Sequence, residues 1–314
     1  MITGAFLGIH DPQITAALVA GVVAFVTAMA TTPIRFVADN LLQRSKARTE
    51  YEYEQRKELR AKIGGYHGRL LEAATSLNYR LGKIYEKREH GWLNVNGDYT
   101  KRWPRHHFFN TTIYRFMTFV ALASRFEGEA IYIDSRIAED TDRLFLFYVK
   151  ALRWTLTDPA LFDGLGYDDT KATDHFYTDH LHRMCGTVFT SAGDVLADVS
   201  ALEDLLAVEH ELDVVLQFFD GLDPDDNLRL RWDRVVAFQL VLMAFIETFG
   251  YEVHKSEEKW FDAIARRMRP EVATNLMDWL PKLHIGTYHG LYTRRDPGGN
   301  MAVKALRTCL NTPR

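Results

Sequence analysis

The sequence predicts an all-α protein with one N-terminal transmembrane helix and a cytoplasmic helical bundle. Three observations predict this fold class. They are an uncharged apolar run near the N terminus, apolar residues at helical spacing along most of the remaining chain, and almost no alternation with period two. The 314 residues suffice for one span and one good-sized soluble domain, or two small ones. We predict an N-terminal tail with the span (1–34), a basic stalk with the first amphipathic helices (35–90) and a helical soluble domain (91–314).

The apolar run extends from Ile14 to about Ile34, and no charged residue lies between Asp11 and Arg35. A helix of this length crosses a hydrocarbon core of about 30 Å. A cleaved signal peptide would begin with a basic segment, but residues 1–13 contain no Lys or Arg. A core helix of a soluble domain would show a polar face, and this run has none. The pattern therefore favours a transmembrane helix.

The charges that follow the run predict its orientation. Basic residues recur from Arg35 to Arg69, and basic residues close to the end of a span stay in the cytoplasm. We therefore expect a single-pass protein of the inner membrane with its N terminus outside and its C-terminal domain in the cytoplasm. The only two cysteines, Cys185 and Cys309, fit a reducing compartment.

Small residues within the run predict self-association. Alanine recurs every fourth residue, and Ala17 and Gly21 form a parallel pair of small residues. Helices in lipid associate through close backbone approach along such residues, so we expect a homo-oligomer. In a pore, Val19, Val23 or Phe25 could form a hydrophobic constriction, and threonines could wet the lumen. The predicted pore and oligomerisation residues are Ala16, Ala20, Gly21, Ala24, Phe25, Thr27, Ala28 and Thr31.

Helical patterns fill most of the remaining chain. Gly64 and Gly65 predict a break after the stalk, and the breakers between 91 and 110 predict a loop. The apolar run 235–246 is too short to span a membrane and follows several charges, so it predicts a central core helix. The predicted helices are 36–63, 70–88, 112–133, 140–156, 173–187, 201–219, 228–251, 257–268 and 270–280.

The charge is unevenly distributed along the sequence. Residues 35–107 contain sixteen Lys or Arg against nine Asp or Glu, which gives +7. Residues 108–314 contain twenty-two against thirty-two, which gives −10. Cations next to a span are attracted to anionic lipid, which is one explanation of the basic part. An anionic ligand or nucleic acid bound against it is the other.

The densest group of basic and aromatic residues lies between Tyr99 and Phe109. Guanidinium groups bind phosphates, and aromatic rings provide a stacking surface for bases. We therefore predict a site for a nucleotide or a single-stranded nucleic acid, whereas a loop that only caps the bundle is the alternative. No cofactor is predicted. The predicted ligand-binding residues are Lys101, Arg102, Trp103, Arg105, His106 and His107.

Two pairs of Arg and His occur at short spacing, Arg102 with His107 and Arg60 with His67. This spacing resembles the catalytic signature of the HEPN ribonuclease family, whose all-α domains cut RNA as dimers. The resemblance implies a His that acts in general acid–base catalysis and an Arg that contacts phosphate. The polar residue that usually follows the Arg in that family is apolar in both pairs. On this alternative Arg102 and His107 are catalytic, whereas our leading interpretation assigns no catalytic residue.

One group of residues has the composition of a metal site. His175, Asp179 and His182 are spaced to share one face of the predicted helix 173–187, and such side chains bind zinc or another transition metal. No matching Cys or His group recurs at ligand spacing, so we predict a polar helix surface and keep these three residues as the candidate ligands. The acidic stretch 220–227 lacks the Gly and the bidentate Glu of a calcium loop, which predicts an acidic turn.

The layout as a whole resembles the membrane effectors of bacterial anti-phage defence systems, which combine a span rich in small residues, a charged stalk and a soluble helical domain. This resemblance implies an oligomeric membrane effector, a channel or a membrane-disrupting protein, that a nucleotide or oligonucleotide gates from the cytoplasm. Two alternatives stay open. One is a membrane-tethered HEPN-like ribonuclease, and the other is a non-catalytic scaffold whose basic face lies on anionic lipid.

Overall fold

The computed structural model describes residues 12–99, 106–130, 135–171, 173–190, 193–208, 210–225, 229–251 and 258–285, without the side chains at 12, 14–15, 28–39, 135 and 258–259. The chain forms two compact units, 1–56 and 57–314. Nine α-helices occur in the described residues, and no strand does, which confirms the all-α prediction. The helices are α1 Pro12–Glu86, α2 His107–Ala130, α3 Asp140–Thr157, α4 Thr178–Thr187, α5 Val199–Leu206, α6 Asp213–Phe219, α7 Arg231–Phe249, α8 Glu258–Ala265 and α9 Pro270–Trp279.

The described residues of the first unit form the part of α1 up to Arg56. Its larger apolar side chains from Leu18 to Val26 are each between 55% and 65% exposed. Further along, Glu52 pairs with Arg48 at 2.9 Å and with Arg56 at 3.6 Å, one turn away on either side. Within the part of the chain that the structure describes, no helix is both long and apolar enough to cross a membrane.

The part of α1 that belongs to the second unit differs from the prediction at Gly64 and Gly65. The helix continues through both glycines, although each destabilises a helix interior by about 1 kcal/mol relative to alanine. Packing on the C-terminal side offsets this cost, because the predicted apolar stripe is buried. The buried stripe contains Leu70, Leu71, Ala74, Leu77, Leu81 and Ile84. The helix ends at Glu86, and Gly91 then adopts a left-handed conformation with φ 61°.

Helix α7 lies at the centre of the second unit. The predicted core run 235–246 is confirmed, because all of its residues except Ala244 are buried. A helix that is apolar on all sides needs neighbours on all sides. Phe238 contacts Phe116 and Phe119 of α2, with ring centroids 6.0 Å apart in both pairs. Phe245 meets Phe145 of α3 at 5.4 Å.

The charged residues at the start of α7 are buried and hold the surrounding loops. Arg231 donates to four backbone carbonyls around the end of α6, at 2.7–3.2 Å. Arg234 donates to the carbonyls of Thr155 (2.8 Å) and Asp158 (3.2 Å) at the end of α3. Cations are favourable at these negative helix ends.

Several predicted helix boundaries were wrong. Helix α4 starts at Thr178 rather than at 173, because the preceding residues are fixed to neighbouring elements. Arg229 pairs with Asp174 at 2.5 Å, and the amide of Phe176 donates to a carbonyl of α3. The predicted helix 201–219 is divided into α5 and α6 by the turn His210–Leu212. Helix α2 begins at His107, within the predicted loop.

Candidate functional site

The predicted ligand loop is described only at its ends. Lys101, Arg102, Trp103 and Arg105 lie outside the described residues. His106 has a left-handed backbone with φ 49°, and its buried Nδ1 has no hydrogen-bond partner among the described atoms. Its carbonyl accepts the amide of Asn110 at 2.8 Å, which starts α2. His107 is exposed as the first residue of this helix.

Asp220 holds the chain that leads into this loop. Its carboxylate accepts the backbone amides of Val95 (3.0 Å), Asn96 (3.1 Å) and Gly97 (2.8 Å). It also accepts the Tyr99 hydroxyl at 3.2 Å. Burial and the charge of Asp220 raise the pKa of Tyr99 to about 12. Asp220, the first residue of the acidic stretch 220–227, therefore accepts hydrogen bonds from backbone amides and a hydroxyl.

Aromatic rings and a cation stack beside the start of α2. The guanidinium group of Arg80 on α1 lies 4.2 Å from the ring centroid of Phe108. Phe108 packs against Trp92 with 4.7 Å between centroids, and Trp92 packs against His90 at the same distance. Trp92 is 42% exposed. The stack therefore offers an aromatic surface at the edge of the second unit.

A second guanidinium group lies next to Arg80. Arg115 of α2 donates from Nη1 to the carbonyl of Ser76 at 3.1 Å, and Ser76 precedes Arg80 by one helical turn. Neither arginine pairs with a carboxylate among the described residues, and Arg80 Nε has no acceptor there. Burial, followed by the positive charge of Arg115, lowers the pKa of Arg80 to about 10. We call Arg80 and Arg115 the guanidinium pair.

The guanidinium pair and the aromatic stack together fit an anionic ligand that carries a ring. An anion would relieve the repulsion between two partly buried cations, and arginine binds phosphate through paired N–H groups. The sequence predicts a site in the neighbouring loop, and that prediction did not include Arg80 or Arg115. The signal for Arg80 was its position between Leu77 and Leu81 of the apolar stripe, where a charged side chain is unexpected.

The two Arg–His pairs have different surroundings. Arg102 lies outside the described residues, whereas its predicted partner His107 is exposed. Arg60 forms ion pairs with Glu139 and, at 3.4 Å, with Asp142. His67 Nε2 lies 3.1 Å from the carbonyl of Phe249. These contacts give Arg60 and His67 structural partners on an unbroken helix.

The candidate metal ligands do not share a helix face. His175 precedes α4, is buried, and its Nδ1 lies 2.9 Å from the Tyr167 hydroxyl. Burial, and next the charge of Arg234, lower the pKa of His175. Asp179 and His182 are exposed on α4. The described residues contain no group of three or more side chains that could hold a metal ion. The predicted shared helix face was wrong, because α4 starts three residues after His175.

The predicted pore and oligomerisation residues all lie in α1. Ala16, Ala20, Gly21, Ala24 and Phe25 are exposed. Thr27 donates to the carbonyl of Val23 at 2.7 Å, so its hydroxyl hydrogen is used within its own helix. The side chains of Ala28 and Thr31 are among those that the structure does not describe.

Comparison with known proteins gives no relative: no family model, no curated protein and no solved structure matches this chain.

Proposed function

We propose that this protein is an oligomeric single-span membrane effector, a channel or membrane-disrupting protein, gated by a nucleotide or oligonucleotide that binds its helical domain. Its N terminus lies outside the inner membrane, and its helical domain lies in the cytoplasm. The basic stalk lies next to anionic lipid. The layout by which this chain resembles anti-phage membrane effectors agrees with the proposal.

One observation carries the proposal, the exposed apolar surface of the first unit. The run 14–34 contains no charge, and its described large side chains, from Leu18 to Val26, are more than half exposed. Burying such a side chain is worth about 1.5–3 kcal/mol, so the helix gains greatly from lipid or from other helices. Alanines four residues apart allow several copies to approach closely. One helix encloses no lumen, and therefore a pore needs several chains.

The guanidinium pair supports an anionic ligand for the helical domain. Two adjacent cations without a carboxylate partner in the described residues attract phosphate, and Phe108 and Trp92 offer ring surfaces for bases. A ligand at this position would contact α1 and α2 together, because Arg80 and Arg115 belong to different helices. Such binding could bias the position of α1, the helix that also contains the apolar run.

Conductance in liposomes tests this function. We expect Phe25→Ser to leak ions without ligand, because a polar side chain wets a hydrophobic constriction. The matched control is Leu41→Ser, a similarly exposed position of α1 after Arg35, which should conduct as the wild type does. If neither the wild type nor Phe25→Ser changes the conductance of the liposomes, the channel is overturned.

The state of cellular RNA tests the alternative. RNA should stay intact with wild type and His107→Ala alike, whereas RNA cleavage that His107→Ala abolishes would support the ribonuclease instead.

A further inference from the structure

The second unit contains a cavity of about 560 Å³ between α2, α3 and α4, which we call the first lobe. This size suits a small organic ligand. Its walls are mainly apolar, and its polar groups lie towards α4 and at the Glu127–Arg153 pair. The apolar lining includes Phe119, Val120, Leu152, Leu156, Leu181 and Phe238.

A second lobe of about 440 Å³ adjoins the first one. The two lobes share Ser124, Glu127, Val149, Arg153 and His182, and the second lobe adds Lys150 and the apolar side chains of Phe126, Leu146 and Phe147. Glu127 and Arg153 pair at 3.0 Å in this shared part, with side chains 17% and 42% exposed. Ser124 Oγ lies 3.5 Å from His182 Nδ1. The polar groups are therefore concentrated where two apolar spaces meet.

We propose that this two-lobed cavity binds a single-chain amphipathic anion, with its carboxylate or similar head between Arg153, Lys150 and His182 and its apolar chain in the first lobe. The site uses only residues of the second unit, so it does not depend on the function proposed for the membrane segment.

Charge decides between an anionic and a cationic head. Arg153 in the shared part and Lys150 in the adjoining second lobe are two permanent cations against one carboxylate, Glu127, and His182 adds a further N–H donor. Asp179 and Arg183 line only the first lobe, and their opposite charges balance there. Arg183 also pairs with Glu211 at 3.6 Å. The surplus cation is therefore Lys150, which lines the second lobe together with its apolar walls. A ligand anion between the two cations would accept hydrogen bonds from Arg153, which also pairs with Glu127.

Calorimetric titration of the full-length protein in phosphatidylcholine nanodiscs tests the site, with empty nanodiscs subtracted. The probes are octanoate, decanoate, decanol and decylammonium. We expect decanoate to bind about tenfold more tightly than octanoate, because each buried methylene strengthens binding by about fourfold at most. Decanoate should also bind more tightly than decanol, and decylammonium most weakly.

Two variants separate the head from the chain. The double variant Glu127→Gln with Arg153→Gln keeps the net charge of the pair, and it should weaken decanoate binding about tenfold while decanol binding stays the same. Ala123→Leu fills the first lobe and should weaken both probes. Lys171→Gln, a cation that lines neither lobe, should change neither. Equal affinity for decanoate and decylammonium, or decanoate binding that Ala123→Leu leaves unchanged, would overturn the proposal.

Discussion

The arginines at the start of α7 and the guanidinium pair have similar neighbours but different access. Arg234 is fully buried, stacks 4.7 Å from the Phe162 centroid and donates to two carbonyls at the end of α3. Arg80 is partly exposed, stacks on Phe108 and lies next to Arg115. Each of Arg234 and Arg80 has an Nε without an acceptor in the described residues.

A guanidinium nitrogen without an acceptor among the described residues does not by itself indicate a ligand site, because Arg234 and Arg80 both have one. Arg234 stabilises carbonyls that would otherwise be buried without a partner, and no ligand can reach it. The guanidinium pair contributes little to the stability of the fold, because Arg115 satisfies one carbonyl while its charge repels that of Arg80. Access and the sign of the neighbouring charge therefore distinguish a structural arginine from one available to an anion.

The largest effect expected is the loss of stability in Arg234→Ala. The substitution removes a buried side chain and leaves the carbonyls of Thr155 and Asp158 without their donor, which should cost about 3–5 kcal/mol. The free energy of unfolding in urea measures this effect. Lys171→Ala, at an exposed position, should stay within about 0.5 kcal/mol of the wild type. A loss below about 1 kcal/mol in Arg234→Ala would show that these carbonyls do not need the guanidinium group.

The next effect concerns binding by the guanidinium pair. We expect Arg80→Gln with Arg115→Gln to weaken binding of oligo(dT) about tenfold or more and to reduce the salt dependence of binding by about two phosphate contacts. The stability of this variant should change by less than about 1 kcal/mol, because a repulsion is removed together with one hydrogen bond. Fluorescence anisotropy at several salt concentrations checks the first expectation.

Lys171→Gln is again the matched control, because it removes one exposed cation of the same unit. An affinity that falls equally in this control would attribute binding to net charge alone. An unchanged salt dependence in the double variant would remove the pair from the ligand site.

The sequence was sufficient to predict the regular parts of the fold. The stripe from Leu70 to Ile84 and the core run of α7 followed from helical periodicity, and both are buried as predicted. Long-range contacts were not predictable in this way. The amide donors to Asp220 are more than 120 residues earlier in the chain, and the extended residues before α4 are held by Arg229 and Tyr167. The partners of Arg80 likewise come from α2, so its role depends on packing that local patterns do not contain.

The smallest effect expected concerns the ion pair between Glu129 and Lys62. Glu129 accepts hydrogen bonds from Lys62 Nζ at 2.8 Å and from the Tyr66 hydroxyl at 2.7 Å, and its side chain is 32% exposed. These two bonds, that of Lys62 first, lower the pKa of Glu129 below its usual value. A carboxylate with a lowered folded-state pKa stabilises the protein above its unfolded-state pKa of about 4.3, and this contribution is lost as the pH falls through the folded-state value.

Glu129→Gln should therefore cost about 0.5–1 kcal/mol at pH 7, a value kept small by the partial exposure of the pair. The difference from the wild type should shrink as the pH falls from the unfolded-state pKa of about 4.3 through the lowered folded-state pKa of Glu129, because the carboxylate then becomes neutral. Urea unfolding at pH 7 and pH 3.5 measures both values. Glu58→Gln, which removes an exposed carboxylate without an ion pair among the described residues, should show little difference at either pH. A difference for Glu129→Gln that grows on acidification would mean that burial, rather than its cationic and hydroxyl partners, dominates the pKa of this carboxyl.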